Sequence, residues 1–416
     1  MRKDYKFPGS SPAARQAVLK RKLVSRICLV LASMGVQGTL LFLLCSVLSL
    51  QHIHGYDIPG LQLPLLGKIL VSEGSNGTTQ LVSSELYSPL LNLWTAAGNQ
   101  QVQRTGFTDN PNNGDHAQAV RLADGRVLSF GGVNPENAAP LASCEAYSIL
   151  TNSWTTCPSL LTPRGSFQAV LLHDGKILAI GGIGPNHTFL ASTELYSATT
   201  NAWAPAGALA EGRVGFLAVI LHDGQVLVTG GSVTSGLGNS AELYNVLNNT
   251  WTAAAPMAGS HGGGSAVVLS DGNVLVMGGY DYGTHIPSTE LYNPAENTWA
   301  PAANMTTRRV QFQTMMLLDG RVMVMGGYDH DVSLSSCEIY DPTANTWTPV
   351  ADMSAKRAAF QAMLLKDGSV IALGGAAAHF DSPAVASVEV YDVKTNTWHA
   401  LAPMSTPRVG MQAIML

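Results

Sequence analysis

The sequence has few charged side chains and few cysteines. Lys, Arg, Asp and Glu together make up 12% of the 416 residues, and there are five cysteines. The formal net charge of −5 argues against a nucleic-acid-binding protein, because such proteins concentrate positive charge on one surface. Gly-x-Ser-x-Gly, phosphate-loop and Cys-x-x-Cys motifs do not occur. The sequence therefore does not indicate a serine hydrolase, a P-loop nucleotide hydrolase or a thioredoxin-like redox protein.

A repeat runs through most of the chain. Seven times a tyrosine is followed seven residues later by a tryptophan, and these account for all seven tryptophans. Each tyrosine ends a Glu-x-Tyr triplet, and six of the units also contain Asp-Gly and then Gly-Gly. The pairs are Tyr87/Trp94, Tyr147/Trp154, Tyr196/Trp203, Tyr244/Trp251, Tyr292/Trp299, Tyr340/Trp347 and Tyr391/Trp398. Repetition at this period is typical of propellers and solenoids.

Each unit predicts four antiparallel strands, A to D. Asp-Gly, as at Asp367-Gly368, accepts the positive φ of a tight A–B hairpin turn. The diglycine that ends strand B leaves room for an aromatic ring against the backbone, and Tyr391 and Trp398 are the expected rings in the last unit. The predicted strands of that unit are 358–365, 369–373, 387–392 and 397–401.

A single four-stranded unit leaves both faces in water, so such units are stable only when stacked, and radial stacking gives a β-propeller. The pattern Arg, Leu-x-Asp-Gly-x-Val, Gly-Gly, Glu-x-Tyr, Trp resembles the kelch repeat over residues 66–416. The resemblance implies an all-β, seven-bladed kelch propeller with four antiparallel strands per blade.

The two ends of the repeat region complement each other. Residues 410–416 are similar to residues 359–365, which form strand A of the preceding unit, and they stop where Asp-Gly would follow. Residues 65–74 are similar to 221–230, with Glu73-Gly74 in place of the diglycine. We therefore expect one blade to take strand A from the C-terminal end and strands B, C and D from the first unit, which closes the ring without a free edge.

The segment before the repeats predicts a membrane anchor. Residues 27–50 form an apolar run of 24 residues, long enough to span a bilayer as a single transmembrane helix. Residues 1–26 carry a net charge of +7 within the total of −5, which leaves −12 for residues 27–416. The positive-inside rule then predicts a cytoplasmic N-terminal segment (1–26), a stalk (51–65) and an extracellular or periplasmic propeller. The alternative is a cleaved signal peptide, and it exports the propeller as well.

Two covalent features would matter after export. Cys144 and Cys157 are expected to lie opposite each other on strands C and D of one blade, either as a disulfide or as two buried thiols. Cys337 occupies the position equivalent to Cys144 but has no cysteine opposite. Possible glycosylation sites occur at Asn76, Asn186, Asn248 and Asn304.

Binding residues are expected on one face of the ring. The B–C and D–A connections of an A-B-C-D blade emerge together, and we call the surface that they form the loop face. The B–C connections are the longer and more variable ones, and binding usually resides on such loops. Histidines and aromatic residues collect there, and the candidates are Tyr280, His285, Tyr328, His330 and His379.

A set of arginines recurs at one position, ten residues before the actual or implied Asp of the A–B turn. One interpretation is a cationic ring around the channel mouth for a carboxylate, a sulfate or an acidic glycan. The other is that each arginine pairs with a Glu-x-Tyr glutamate or caps loop carbonyls as part of the scaffold. The set is Arg164, Arg213, Arg309, Arg357 and Arg408, with His261 in this place in the fifth blade.

Two functions remain open at this point. The first is a membrane-tethered, extracytoplasmic scaffold that binds a protein or a carbohydrate through the loop face. The second is an exported carbohydrate-active enzyme. Resemblance to galactose oxidase-type copper-radical oxidases implies two histidines, two tyrosines and a cysteine linked to one tyrosine, but the loop-face histidines come from four blades and no cysteine is expected near Tyr280 or Tyr328. Resemblance to exported kelch sugar mutarotases implies six blades rather than seven. No catalytic residue, cofactor ligand or metal ligand is therefore assigned from the sequence.

Overall fold

The computed structural model describes residues 67–104, 117–330, 332–378 and 383–416. Over these ranges the chain forms β-strands and one short 3₁₀ turn, Pro185–His187. No helix within them is long and apolar enough to cross a membrane. The predicted transmembrane helix (27–50), the basic segment (1–26) and the stalk (51–65) lie outside the described residues.

Seven four-stranded antiparallel sheets form the blades, each in the order A-B-C-D. Strands A to D of blade 2 are Gln118–Arg121, Val127–Phe130, Cys144–Ser148 and Ser153–Cys157. Those of blade 3 are Gln168–Leu171, Ile177–Ile180, Thr193–Ser197 and Ala202–Pro205. Those of blade 4 are Leu217–Ile220, Val226–Thr229, Ala241–Asn245 and Thr250–Ala254. Those of blade 5 are Ser265–Val268, Val274–Met277, Thr289–Asn293 and Thr298–Pro301. Those of blade 6 are Gln313–Met316, Val322–Met325, Cys337–Asp341 and Thr346–Val350. Those of blade 7 are Gln361–Leu364, Val370–Leu373, Val388–Asp392 and Thr397–Leu401.

Blade 1 is built from both ends of the repeat region, as predicted. Its strand A is Gln412–Met415, and strands B, C and D are Ile69–Ser72, Ser84–Ser88 and Leu93–Ala97. Strands A and B pair antiparallel, with Ile69 opposite Met415. The A strands of consecutive blades then contact one another all the way round, so the seven blades close into a ring.

The core lies between neighbouring blades. Every strand B is fully buried, because it is flanked by A and C within its sheet and covered by a blade on either side. One apolar cluster, for example, joins Phe130 of blade 2 to Phe167 and Ile177 of blade 3. Burial on both faces explains why the B strands are continuous apolar runs such as Val-Leu-Val-Met in blade 5.

The repeated Tyr/Trp pairs connect adjacent blades. In every blade the two residues are direct cross-strand partners on strands C and D, as Tyr244 and Trp251 are. The Tyr244 hydroxyl donates to Oδ1 of Asn249 (2.8 Å), which sits in the C–D turn with φ of +55°. Asn249 Oδ1 also accepts the N–H of Gly207 in the preceding blade, and Trp251 Nε1 donates to the Gly207 carbonyl, both at 2.8 Å. The pairs are therefore structural residues.

The diglycines make room for a different ring from the one predicted. A Cβ at Gly278 would lie 2.9 Å from the Phe312 ring, and one at Gly326 would lie 2.7 Å from the Phe360 ring. These rings come from the start of strand A in the next blade. The expectation of Tyr391 and Trp398 was wrong, because both of those rings turn toward the preceding blade; at Gly374 the neighbour is Met411.

Candidate functional site

The five repeated arginines lie inside the ring of blades and do not form an open cationic mouth. Their side chains are 0–1% exposed. Arg164 is typical: its guanidinium donates to the carbonyls of Gly181 (2.7 Å) and Ser192 (3.0 Å) and to Oε1 of Glu194 (2.8 Å). Burial lowers the pKa of Arg164, and the Glu194 carboxylate opposes that shift. The geometry matches the scaffold interpretation of Arg164, Arg213, Arg309, Arg357 and Arg408.

Each pair also anchors a D–A connection. The Glu194 carboxylate accepts the backbone N–H groups of Leu161 (2.7 Å) and Thr162 (2.9 Å) while it binds Arg164. Buried charges need a partner of opposite charge and hydrogen bonds. The terminal guanidinium nitrogens of Arg164 and the carboxylate of Glu194 have both, whereas Nε of Arg164 has no partner among the described residues. The pairs therefore fix the height and direction of the connections that form the loop face.

The sequence pattern missed one member of this set. Arg104 pairs with Glu145 of blade 2 at 3.4 Å and donates to the Gly131 carbonyl. The ten-residue offset does not identify Arg104, because this residue stands twenty residues before Asp124. In blade 5 the same role falls to His261, with Nε2 3.2 Å from Glu290. All seven blades thus have an arginine or a histidine on their Glu-x-Tyr glutamate.

Blades 5 and 6 each carry a small hairpin on the loop face. Tyr280–Asp281 pairs with Thr284–His285, and Tyr328–Asp329 pairs with Val332–Ser333. In blade 5 the turn residues Tyr282 and Gly283 both have positive φ (+47° and +80°), as a type I′ turn requires. His330 takes the position of Tyr282 in blade 6, with φ of +53°. A hairpin of the same length, Ser232–Val233 with Gly236–Leu237, occurs in blade 4, where it also pairs with Arg213–Val214.

The two hairpins meet in a cluster of polar side chains, which we call the His-Asp cluster: His285, Asp329 and His330. Oδ1 of Asp329 lies 2.7 Å from Nδ1 of His330 and 3.5 Å from Nδ1 of His285. The backbone N–H of His330 donates to Nδ1 of His285 at 2.8 Å. Nε of Arg308 approaches the other carboxylate oxygen at 3.3 Å. One carboxylate therefore holds together three side chains from two blades.

Two tyrosines form the wall beneath the cluster. The hydroxyl oxygens of Tyr280 and Tyr328 are 3.1 Å apart. The imidazole of His285 packs edge-on against both rings, with centroids 4.5 and 5.4 Å away. His285 and Tyr328 are buried, whereas the side chain of His330 is 57% exposed. The cluster thus has a packed base and an open outer side.

Burial and neighbouring side chains shift the pKa values of His285 and Tyr280. Burial and then the neighbouring His330 lower the pKa of His285, against the opposing effect of Asp329. Burial raises the pKa of Tyr280, against a hydrogen bond from Tyr328. A neutral imidazole at His285 and a neutral phenol at Tyr280 are therefore favoured near neutral pH.

Four of the five predicted histidines and aromatic residues come together, although they belong to different blades. Tyr280, His285, Tyr328 and His330 share the cluster, and His379 lies outside the described residues. The sequence pattern missed Asp329 and Arg308. A usable signal was the Tyr-Asp dipeptide at the start of both B–C connections, although Asp281 instead accepts a hydrogen bond from Ser260 in its own blade.

The tips of the two hairpins expose apolar surface. Tyr282 is 81% exposed and Val332 is 53% exposed. Leucines in the turns of the opposite face are also exposed, among them Leu247 (93%) and Leu318 (73%). Tyr282 and Val332 differ from them in belonging to the hairpins that form the His-Asp cluster.

The structure places the described cysteines and the four possible glycosylation sites. Cys144 and Cys157 are joined by a disulfide, with Cα atoms 5.1 Å apart. Cys337 is a buried free thiol, and burial raises its pKa to about 12. Among the sequons, Asn186, Asn248 and Asn304 are exposed and Asn76 is half-buried.

Comparisons with known proteins agree with the fold. A family model described as the KLHDC2/KLHL20/DRC7 kelch-repeats domain matches residues 217–415, and the kelch motif model matches 118–161 and 164–209. No curated protein sequence matches the chain.

Two solved structures have a similar fold. A fungal alcohol oxidase of the AA5 family in complex with copper is 20% identical, with a TM-score of 0.61 over 76% of this chain and 71% of its own. The structure of YjhT is 15% identical, with a TM-score of 0.54 over 69% of this chain and 97% of its own. At these identities the likeness concerns the fold alone.

Proposed function

Since the chain belongs to the kelch-repeat β-propeller family, we propose that it is a membrane-tethered, extracytoplasmic scaffold that binds its partner on the loop face around the hairpins of blades 5 and 6. Kelch propellers generally serve as protein-binding scaffolds. A protein is the first choice of partner and a carbohydrate the second. The anchor is the apolar run 27–50, and the charge of residues 1–26 supports its orientation.

The observation that carries this proposal is the pair of exposed hairpin tips, Tyr282 and Val332. Most other conspicuous residues of the repeat are already used within the fold: the arginines are paired, the tyrosines and tryptophans link blades, and the glycines accommodate packed side chains. Function is therefore expected where the blades differ. A ring of packed blades that presents two short hairpins loses little conformational entropy on binding.

Photo-crosslinking tests this surface directly. A photoreactive amino acid is placed at position 282 or 332 of the full chain in membranes from its own cells, and adducts are identified by mass spectrometry. The matched control is position 247, because Leu247 is 93% exposed in a C–D turn on the opposite face. We expect the same partner at 282 and 332 and not at 247. Equal adducts from all three positions, or none from 282 and 332, would refute binding through these hairpins.

The alternative of an exported carbohydrate-active enzyme draws on one observation, the assembly of two tyrosines and two histidines in one place. The described cysteines do not complete an oxidase site, because Cys144 and Cys157 are bonded to each other and Cys337 is buried in blade 6. A glycan array combined with metal analysis separates the two functions. Stoichiometric copper with oxidase turnover would favour the enzyme, and a bound glycan without turnover would favour the scaffold.

A further inference from the structure

The His-Asp cluster has the composition of a metal site. His285, Asp329 and His330 each offer one ligand atom, and these atoms all lie within 4.8 Å of one another. Among the described residues this is the one group of three or more histidine, cysteine, aspartate or glutamate side chains that meets this condition. Two imidazoles and a carboxylate converge from two blades, so their meeting is a product of the tertiary fold and not of local sequence.

The spacing of the ligand atoms suits a small cation. Ligands about 2.0–2.1 Å from a tetrahedral ion are about 3.3 Å from one another. The 3.5 Å between His285 Nδ1 and Asp329 Oδ1 is close to that value. The 2.7 Å between His330 Nδ1 and Asp329 Oδ1 is a hydrogen bond. A metal replaces the proton of that bond and moves the pair apart by roughly half an ångström, which an exposed side chain such as His330 can accommodate.

The surroundings hold two of the three ligands in place. Arg308 engages Oδ2 of Asp329 and leaves Oδ1 directed at the two imidazoles. The rings of Tyr280 and Tyr328 pack against His285 and limit its rotation. Outer partners of this kind orient metal ligands and strengthen binding.

The donor set selects the class of ion. Mg²⁺ and Ca²⁺ prefer sites made of oxygen ligands, whereas imidazole nitrogen with one carboxylate suits Zn²⁺ and its first-row neighbours. We propose that His285, Asp329 and His330 bind a divalent transition-metal ion of the Zn²⁺ class on the loop face. Three protein ligands leave a fourth position, and the exposed side of His330 places it toward solvent, where a water or a donor atom of a partner completes the coordination.

Binding the ion rearranges one contact. Nδ1 of His285 accepts the His330 backbone N–H, and a metal on Nδ1 takes the place of that donor. The ion therefore links the hairpins of blades 5 and 6 by coordination instead of by this hydrogen bond. The proposal stands independently of what the loop face binds.

Zinc titration of the full chain tests the site. The protein is stripped with a chelator and titrated with Zn²⁺ by calorimetry, with Mg²⁺ and Ca²⁺ as comparison ions, in a background in which His52 and His54 are replaced by Gln to remove a competing pair. Co²⁺ is added in parallel, because its visible absorption reports nitrogen and oxygen coordination. The variants are D329N and H330A, neither of which removes a buried apolar group.

The matched control is H187A, since His187 is also an exposed loop-face histidine with positive φ. We expect one Zn²⁺ per chain, no comparable binding of Mg²⁺ or Ca²⁺, and an affinity weaker by at least 10- to 100-fold in D329N and H330A. Loss of an outer partner alone has an effect of that size, and each of these variants loses a direct ligand. H187A should bind as the parent does. Zinc binding that is unchanged in D329N and H330A, or a parent without a stoichiometric site, would overturn the proposal.

Discussion

Glu73 occupies a position that is glycine in the other six blades. Its φ of +64° is the conformation that the glycines adopt there. The side chain is tolerated because Ala117 stands where blades 3, 4, 6 and 7 have phenylalanine, so the space of a ring is free. Glu73 fills it and accepts hydrogen bonds from Gln100 (3.0 Å) and from the hydroxyl of Ser129.

With Glu73 in place of glycine, the carboxyl groups of Glu73 and Glu145 both lie near the guanidinium of Arg104. The stability of the fold should therefore depend on the charge of Glu73 and hence on pH. Burial raises the pKa of Glu73 above its ordinary value of 4.5, against Arg104, which lowers it. A carboxyl with a raised pKa in the folded state contributes stability that is fully present below 4.5 and is lost as the pH rises through the folded value. Glu73→Gln imitates the protonated form. We therefore expect its free energy of unfolding to exceed that of the parent increasingly between pH 4 and pH 8, by about 1.4 kcal/mol per unit of pKa shift.

Chemical denaturation at a series of pH values measures this difference. Glu145→Gln is the matched control, because the Glu145 carboxylate accepts the backbone N–H groups of Gln101 (2.7 Å) and Val102 (3.2 Å) and pairs with Arg104. That variant should be less stable than the parent at pH 8. A difference between Glu73→Gln and the parent that does not change with pH would show that Glu73 is ionised in the folded protein.

The arginines show what spacing can and cannot predict for single residues. A fixed offset from the A–B turn placed all five at the same point of the blade, and the structure agrees. The direction of the side chain does not follow from the offset, because an arginine in the D–A connection can turn outward to solvent or inward to the glutamate. Burial of the partner glutamates favours the inward direction, and that burial depends on the neighbouring blade.

At the scale of elements, the strands common to all seven blades were predictable and the hairpins of the B–C connections were not. Strand D of blade 7 has the predicted bounds, 397–401, and strand C begins one residue later than predicted, at Val388. These strands recur seven times, so each unit helps to locate the others. Among the described residues, hairpins like Tyr280–His285 and Tyr328–Ser333 occur only in blades 4 to 6, and the contact between neighbouring hairpins depends on the distance between adjacent blades.

The disulfide in blade 2 gives a prediction for strands C and D. Cys144 and Cys157 are direct cross-strand partners, and the bond closes a segment with a sequence separation of 13. Closing a loop of this size stabilises a fold by about 3 kcal/mol. We expect the exported protein to melt at a lower temperature in reductant, and the variant with both residues changed to Ser not to respond to reductant.

Thiol titration of the unfolded, unreduced chain provides the accompanying count. The sequence has five cysteines, and Cys144 and Cys157 are bonded to each other, so at most three thiols should react. Five reactive thiols in protein isolated from its own cells would contradict both the bond and the proposed export, because the cytoplasm keeps such pairs reduced.

At the scale of the whole molecule, the ring was the most predictable property. Seven Tyr/Trp pairs set the number of blades, and the similarity of 410–416 to an A strand located the closure. The His-Asp cluster was the least predictable, since it joins residues 45 positions apart that no periodicity relates. Repetition specifies the scaffold, whereas the proposed site depends on departures from it.

The closure also predicts that the ring tolerates new ends. The N–H of Leu416 donates to the Lys68 carbonyl (2.8 Å) and that of Gly67 to the Leu416 carbonyl (3.2 Å). Leu365 makes the same pair of bonds with Ser369 and Gly368 across two intervening residues. Joining Leu416 to Gly67 through Lys-Asp should therefore create an ordinary A–B turn. A circular permutant of 67–416 opened between Leu247 and Asn248, in an exposed C–D turn, is expected to fold and to melt within a few degrees of the unpermuted propeller.

The control permutant has the same joint but opens between Leu227 and Val228, in the buried strand B of blade 4. It should fail to fold, because the cut removes ladder hydrogen bonds where water cannot replace them. Melting followed by far-ultraviolet circular dichroism distinguishes the two. If the first permutant were as unstable as the second, the A and B strands of blade 1 could not be paired as described, and the ring would have to close in another way.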